Sequence, residues 1–401
     1  SGNYVIGIGY QAGENNAAGQ SVNIGHRAGK DNLADGAVFV GSCAGMNNTS
    51  GSCATGVGRS ALAANTTGVN NSALGNYALS SNTTGVANTA VGNAALGSNT
   101  TNSSNTAVGS HSLANNTTAN NNTALGAYSL CCNTTAGNNT AVGTNALCLN
   151  TTGDLNTAVG SSALKATTTG RFNTAIGTSA LIRNTTGGNN TALGMYAGYN
   201  VDSGSNIMIG CGAYLGQWDS VNSVSLSTGG NNIAIGRDAF KCNTTGEHNV
   251  ALGYLALCAN TTRTGDIAIG REVLREQVTG GENVAIGYYA ARCATGAIRG
   301  VYIGYTAGLS LTTGDNNMLF GYKAGEQITT AGSNIAIGSD ALKTNVTGNS
   351  NVAIGSFALS LSTTTGNTAV GNSSLQYQTT GVQNSALGLA QPIMQKLKMR
   401  N

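Results

Sequence analysis

Proline occurs once in 401 residues and tryptophan once; 8% of residues are charged and 5% aromatic. Each scarcity excludes something. A single proline rules out a collagen helix. Scarce charge beside 40% apolar residues argues against disorder, which goes with high charge and few apolar side chains. No apolar run approaches the roughly 18 residues of a membrane span. A net charge of +3 is too small for a nucleic-acid footprint. The first residues already read as repeat rather than as a secretion signal.

What remains is Gly, Asn, Thr, Ser and Ala, with 59 glycines, about twice average usage. These residues are ordered by a repeat. Small-apolar-Gly segments such as Thr89-Ala90-Val91-Gly92 recur 23 times from Gly9 to Gly388. Seventeen of the spacings between these anchor glycines are 17 residues, four are 16, and one, from Gly210 to Gly236, is 26. A typical unit reads N-T-A-V-G-x-x-A-L-x-x-N-T-T-G-x-x. The residue before every anchor is apolar, as at Ile8, Val91, Leu125, Ile286 and Phe320. Most positions three after it are Ala, and the next is commonly Leu (Leu79, Leu96, Leu113, Leu342) or Gly (Gly29, Gly198).

A 3.6-residue apolar stripe is missing, and one or two glycines per unit would each cost a helix about 1 kcal/mol. Short β-branched runs bounded by Asn/Gly turns read as strands. One unit cannot bury its apolar face alone, whereas stacked units can. The expected fold is therefore all-β, a parallel β-solenoid or β-roll of about 23 rungs of 17 residues. It is expected to span residues 1–390, with an insertion at 211–235 and a non-repeat tail at 391–401 that leaves the pattern at Pro392. One strand would cover Asn88 to Gly92 and a second Ala95 to Ser98. The Asn-Thr-Thr-Gly segment would turn the chain, and stacked asparagines would form amide ladders. Strands about 4.8 Å apart give a rod of roughly 110 Å. The apolar column before each anchor is expected in the core, so that Ile286→Asp would disrupt stacking.

The units Asn283-Val284-Ala285-Ile286-Gly287-Tyr288-Tyr289-Ala290 and Asn351-Val352-Ala353-Ile354-Gly355-Ser356-Phe357-Ala358 resemble the head repeats of trimeric autotransporter adhesins. The longer form, from Asn139-Thr140-Ala141-Val142-Gly143 through Asn150-Thr151-Thr152-Gly153, is similar to arrays in phage and virus tail fibres. The resemblance covers residues 3 to about 390. It implies a left-handed roll that associates as a trimer. The unit is longer than the autotransporter repeat, and no heptad stalk, anchor barrel or tail-fibre chaperone domain accompanies it.

Catalytic chemistry finds little support. His26, His111 and His248 lie in different rungs at different phases, where a zinc site or triad would need convergence. Acidic residues number 15 and form no paired column, and the recurrent Asp of calcium-binding rolls is missing. Gly7-Ile8-Gly9-Tyr10-Gln11-Ala12 matches a dinucleotide fingerprint only because the repeat generates it. No metal and no cofactor is expected.

Other features suggest modification or contact. Of nine cysteines, Cys132 with Cys148 and Cys242 with Cys258 fall on adjacent rungs, within the Cα separation of a disulfide. Burial as small apolar residues is the alternative. Asn65, Asn82, Asn99, Asn116, Asn133, Asn150, Asn184, Asn243, Asn260 and Asn345 each begin an Asn-x-Thr sequon in a turn expected to be exposed. They are candidate glycosylation sites, although Asn and Thr also suit that turn on backbone grounds. The insertion carries Tyr214, Leu215 and Trp218, either packed over a local irregularity or forming a contact loop. Tyr77, Tyr128, Tyr196 and Tyr289 are candidates for stacking on sugars.

Together these features suggest a non-enzymatic extracellular fibre or filament protein, at a cell or virion surface, acting in adhesion or as a spacer. Its expected partners are further copies of itself, as a lateral trimer or an end-to-end filament, and surface glycans. An ice-binding or carbohydrate-binding solenoid is the alternative, on threonine columns such as Thr89, Thr106, Thr123, Thr140, Thr157 and Thr174.

Overall fold

The computed structural model describes residues 4–17, 19–216 and 226–389. The chain is an all-β parallel β-solenoid of about 22 turns with about 17 residues per turn. It packs as two compact units, Ser1–Ser205 and Asn206–Asn401. Most turns contribute one three-residue strand that ends at the residue before the anchor glycine, as in Thr89–Val91, Thr140–Val142 and Val284–Ile286. Within each unit these strands pair in parallel and in register, so like residues stack: Thr140 on Thr157 on Thr174, and Ala141 on Ala158 on Ala175. The second segment, expected as a strand around Ala95 to Ser98, is instead a run of turns.

The anchor glycines hold a backbone that other residues cannot reach. Gly143 has φ of +130°, and a Cβ there would lie 2.6 Å from the carbonyl oxygen of Gly160 in the next turn. Opposite the strand, the Leu at the fourth position after the anchor adopts φ near +50° (Leu79 +49°, Leu147 +50°) and points inward. A left-handed conformation is unfavourable for a bulky residue. Burial of the Leu side chain, worth about 2 kcal/mol, offsets it.

The core is thin and made mostly of Ala and Leu. The middle strand residue (Ala90, Ala141, Ala285), the Ala three after the anchor (Ala95, Ala146, Ala290) and the following Leu (Leu96, Leu147) are fully buried. Two columns of buried asparagine complete it. Asn133 Nδ2 donates to Asn116 Oδ1 at 2.9 Å, and Asn150 Nδ2 to Asn133 Oδ1 at 2.9 Å. On the second column, Asn139 N donates to Asn122 Oδ1 and Asn156 N to Asn139 Oδ1, both at 2.9 Å. The ladders satisfy most of these amides, whose burial would otherwise cost about 1–3 kcal/mol each, although Asn139 Nδ2 and Asn150 Oδ1 are left without a partner among the described residues.

The expected core column is corrected here. The apolar residue before the anchor points outward: Leu74 is 44% exposed, Ile176 42% and Phe320 51%, and Ile286 is half-buried. Side chains alternate along a strand, and the gap between the strand and the opposite Leu admits only the Ala.

Candidate interaction surface

The strand alternation that turns Ala inward turns its two neighbours outward, and so builds two columns on the outer face of each unit's sheet. In the first unit, from Thr89 to Leu193, one column is threonine (Thr89, Thr106, Thr123, Thr140, Thr157, Thr174) and the other Val, Leu or Ile. In the second unit, from Ile207 to Ile354, both columns are apolar, as in Ile233/Ile235, Ile267/Ile269, Val301/Ile303, Met318/Phe320 and Ile335/Ile337. Neither column carries a charge in these strands. Nine turns at about 4.8 Å make an apolar strip on the order of 40 Å long. Monomeric proteins rarely expose such strips without a partner.

Beside this strip runs a column of Arg and Tyr, one residue after the anchors. Arg237 lies 4.8 Å from the Tyr254 ring centre and donates to its hydroxyl at 3.1 Å. Arg271 sits between Tyr254 and Tyr288, 5.6 Å from each ring. Tyr288, Tyr305 and Tyr322 then stack at 5.3 and 5.4 Å, tilted by 5° and 15°. A sugar ring therefore finds the inner faces of this stack already covered. Glu272, with a side chain only 7% exposed, anchors the column through Arg292 at 2.8 Å, Arg275 at 3.1 Å and Arg271 at 3.3 Å. Burial pushes the Glu272 pKa up, but hydrogen bonds from Arg292 and Arg271 and the charges of Arg292 and Arg275 outweigh it, holding the carboxyl below its ordinary range.

The sequon asparagines are not exposed, which corrects the glycosylation reading. Asn65, Asn82, Asn99, Asn116, Asn133, Asn150, Asn184, Asn243, Asn260 and Asn345 are all fully buried. The Nδ2 atom that would carry a glycan points into the roll. In Asn82 and Asn99 it donates to the preceding ladder amide, at 2.8 and 2.9 Å, and to a turn carbonyl three residues on. What the turn exposes is its threonines, not its asparagine.

Tyr214 is also corrected as a contact residue. It is fully buried, its hydroxyl donates to Gly229 O at 2.7 Å and accepts from Asn243 Nδ2 at 2.7 Å, and its ring packs on Phe240. Leu215 is half-buried, and Trp218 lies outside the described residues, as does the tail from Gln391. Tyr77, Tyr128 and Tyr196 are partly exposed at 37%, 45% and 40%. Arg59 covers Tyr77, His111 stacks on Tyr128 at 5.2 Å, and Tyr289 packs against Tyr288. His26 stacks on Tyr10, and His248 lies 3.9 Å from Glu247. Among the described residues no group of three or more His, Cys, Asp or Glu is arranged to hold a metal ion.

All nine cysteines are free thiols. Cys132 N donates to Cys148 O at 3.0 Å, so the expected pair does lie on adjacent turns, but the sulfur 3.5 Å from Cys148 Sγ belongs to Cys131. In the other pair the Cys258 thiol donates to Cys242, and chiefly for that reason the Cys242 pKa falls to about 7.

Comparison with protein-family models and with curated sequences gives no match.

Proposed function

We propose that this chain is a non-enzymatic extracellular fibre element, serving adhesion or spacing at a cell or virion surface, whose copies pack side by side through the outer sheet face. The observation that carries this reading is the uncharged double column from Ile207 to Ile354. A second copy is its natural occupant. The strip repeats at one strand spacing and is chemically self-similar, so two or three copies can bury it against one another without desolvating a charge. The resemblance to trimeric head repeats supports three copies.

Sedimentation velocity tests it on the wild type and on a variant with Ile269→Lys and Ile303→Lys. The expected result is a wild-type oligomer and a folded monomeric variant. A wild type that stays monomeric at tens of micromolar refutes the reading.

The threonine column of the first unit supports a second, ice-binding reading. Thr89 to Thr174 present hydroxyl and methyl groups in strict register beside a column of Val, Leu and Ile. Thermal hysteresis lost in a Thr123→Lys, Thr157→Lys variant would support it, and its absence in the wild type would remove it.

A further inference from the structure

Burial, chain register and sulfur geometry single out one corner of the first unit. Cys131 and Cys148 occupy the same position, five residues after Gly126 and Gly143, in adjacent turns. Their Sγ atoms are 3.5 Å apart, and Cys131 Sγ is 3.6 Å from Cys132 Sγ. Cys148 is buried and the other two half-buried. A strand-to-strand step of about 4.8 Å falls inside the Cα separation of about 4.4–6.8 Å that a disulfide spans. Closing the sulfurs to bonding distance needs a shift of roughly 1.5 Å, within reach of side-chain rotation.

We infer that this corner is an oxidative modification site in which Cys131 and Cys148 form a disulfide clamping two successive turns, with Cys132 as the exchanging thiol. The oxidant is a low-molecular-weight disulfide such as oxidised glutathione. A Cys132 thiolate attacks it, forming a mixed disulfide and releasing one glutathione thiolate. Cys131 attacks the Cys132 sulfur of a mixed disulfide of that kind only through a strained vicinal ring. The productive route is therefore attack of the Cys148 thiolate on the glutathione sulfur of that mixed disulfide, which frees the Cys132 thiolate, followed by attack of the Cys131 thiolate on the Cys148 sulfur, which releases the second glutathione thiolate. One S–S bond breaks in the oxidant and one forms between Cys131 and Cys148. Two electrons and two protons pass to two glutathione thiols, and Cys132 ends as a free thiol. Burial, together with the neighbouring thiols, pushes the Cys131 pKa well above its ordinary value. The final displacement is accordingly slow at neutral pH and accelerates with alkalinity.

Peptide mapping after equilibration in a glutathione redox buffer tests the assignment, on the full chain and on C131S, C131A and C132S, each checked for folding by circular dichroism. The expected product links the peptide bearing Cys131 and Cys132 to the one bearing Cys148, in the wild type and in C132S, where it forms more slowly. Neither C131S nor C131A yields it. Absence of the link in the wild type overturns the inference, and so does its retention in either Cys131 variant. The readout does not depend on oligomer state, so it stands or falls apart from the fibre reading.

Discussion

The Phe39 ring occupies the space that a side chain on Gly45 would need. Phe39 lies two residues before its anchor Gly41, where most turns have Ala, and Gly45 is at the position where most have Leu. The same exchange pairs Tyr302 with Gly308 and Leu319 with Gly325. Each of these three turns thus keeps its volume by moving bulk from one wall to the other. Gly45→Leu alone should cost several kcal/mol through overpacking, and Phe39→Ala alone about 3–5 kcal/mol through a cavity. The double variant restores the common Ala/Leu arrangement and should recover at least half of the summed loss. Denaturant melts of the four proteins give the coupling directly.

Gly143→Ala should be among the most damaging single changes in the first unit. Its φ of +130° lies outside the left-handed well that Asn or Asp tolerates, and the added Cβ meets backbone, which cannot swing aside. Loss of more than about 3 kcal/mol is expected. A melting temperature within a few degrees of wild type would show that the anchor column does not set the turn-to-turn contact.

The period, the parallel register and the asparagine ladders are legible in the sequence because each follows from like residues stacking on like. Which way a column faces is not. Val91 and Leu96 are both apolar, yet Val91 points out and Leu96 in. Periodicity cannot separate them, since the decision rests on the narrow gap that only Ala90 fits. The sequons mislead for a related reason. Asn-Thr-Thr marks a turn correctly, but the ladder draws the amide inward while the threonines face out. The exchange of bulk between Phe39 and Gly45 is a signal the sequence carries only in part: Gly stands in the Leu position opposite Phe39, Tyr302 and Leu319, but Gly198 does so in a turn that keeps Ala192, and Met208 is matched by Tyr214.

Asp266 interrupts the ladder and should make the second unit sensitive to pH. It is fully buried between Asn249 and Asn283 and accepts from Asn283 N at 2.9 Å and Nδ2 at 3.2 Å. Asn249 and Asn283 each donate Nδ2–H to a turn carbonyl at 2.8 Å, a hydrogen that an ionised Asp lacks. Burial raises its pKa to about 6, against hydrogen bonds from Asn283 and the charge of Arg263; Glu282 raises it further. The fold therefore favours the protonated form. That stabilisation is complete below the unfolded value of 3.8 and is lost as pH rises through about 6. Asp266→Asn should melt higher than wild type at pH 8, by an amount on the order of 2–3 kcal/mol, and the gap should close toward pH 4. Parallel melting curves across that range would contradict the assignment.

Adjacent residues on one strand give opposite expectations for the same substitution. Ala285 is fully buried between Ala268 and Tyr302 of the neighbouring strands, whereas Ile286 is half-buried on the outer face. A carboxylate at 285 would lose its water with no partner in the column, so Ala285→Asp should cost several kcal/mol and prevent local stacking. At 286 the carboxylate reaches solvent, and Ile286→Asp should cost an isolated chain only about 1 kcal/mol. Its effect should fall on association, because the charge enters the strip proposed to meet a second copy, where burying it unpaired is expensive. Thermal melts separate the two variants on stability, and sedimentation separates them on assembly. If Ile286→Asp unfolds the chain as readily as Ala285→Asp under dilute conditions, the outward assignment of the column before the anchor is wrong. If it melts normally and sediments like the wild type, the column faces water and takes no part in assembly.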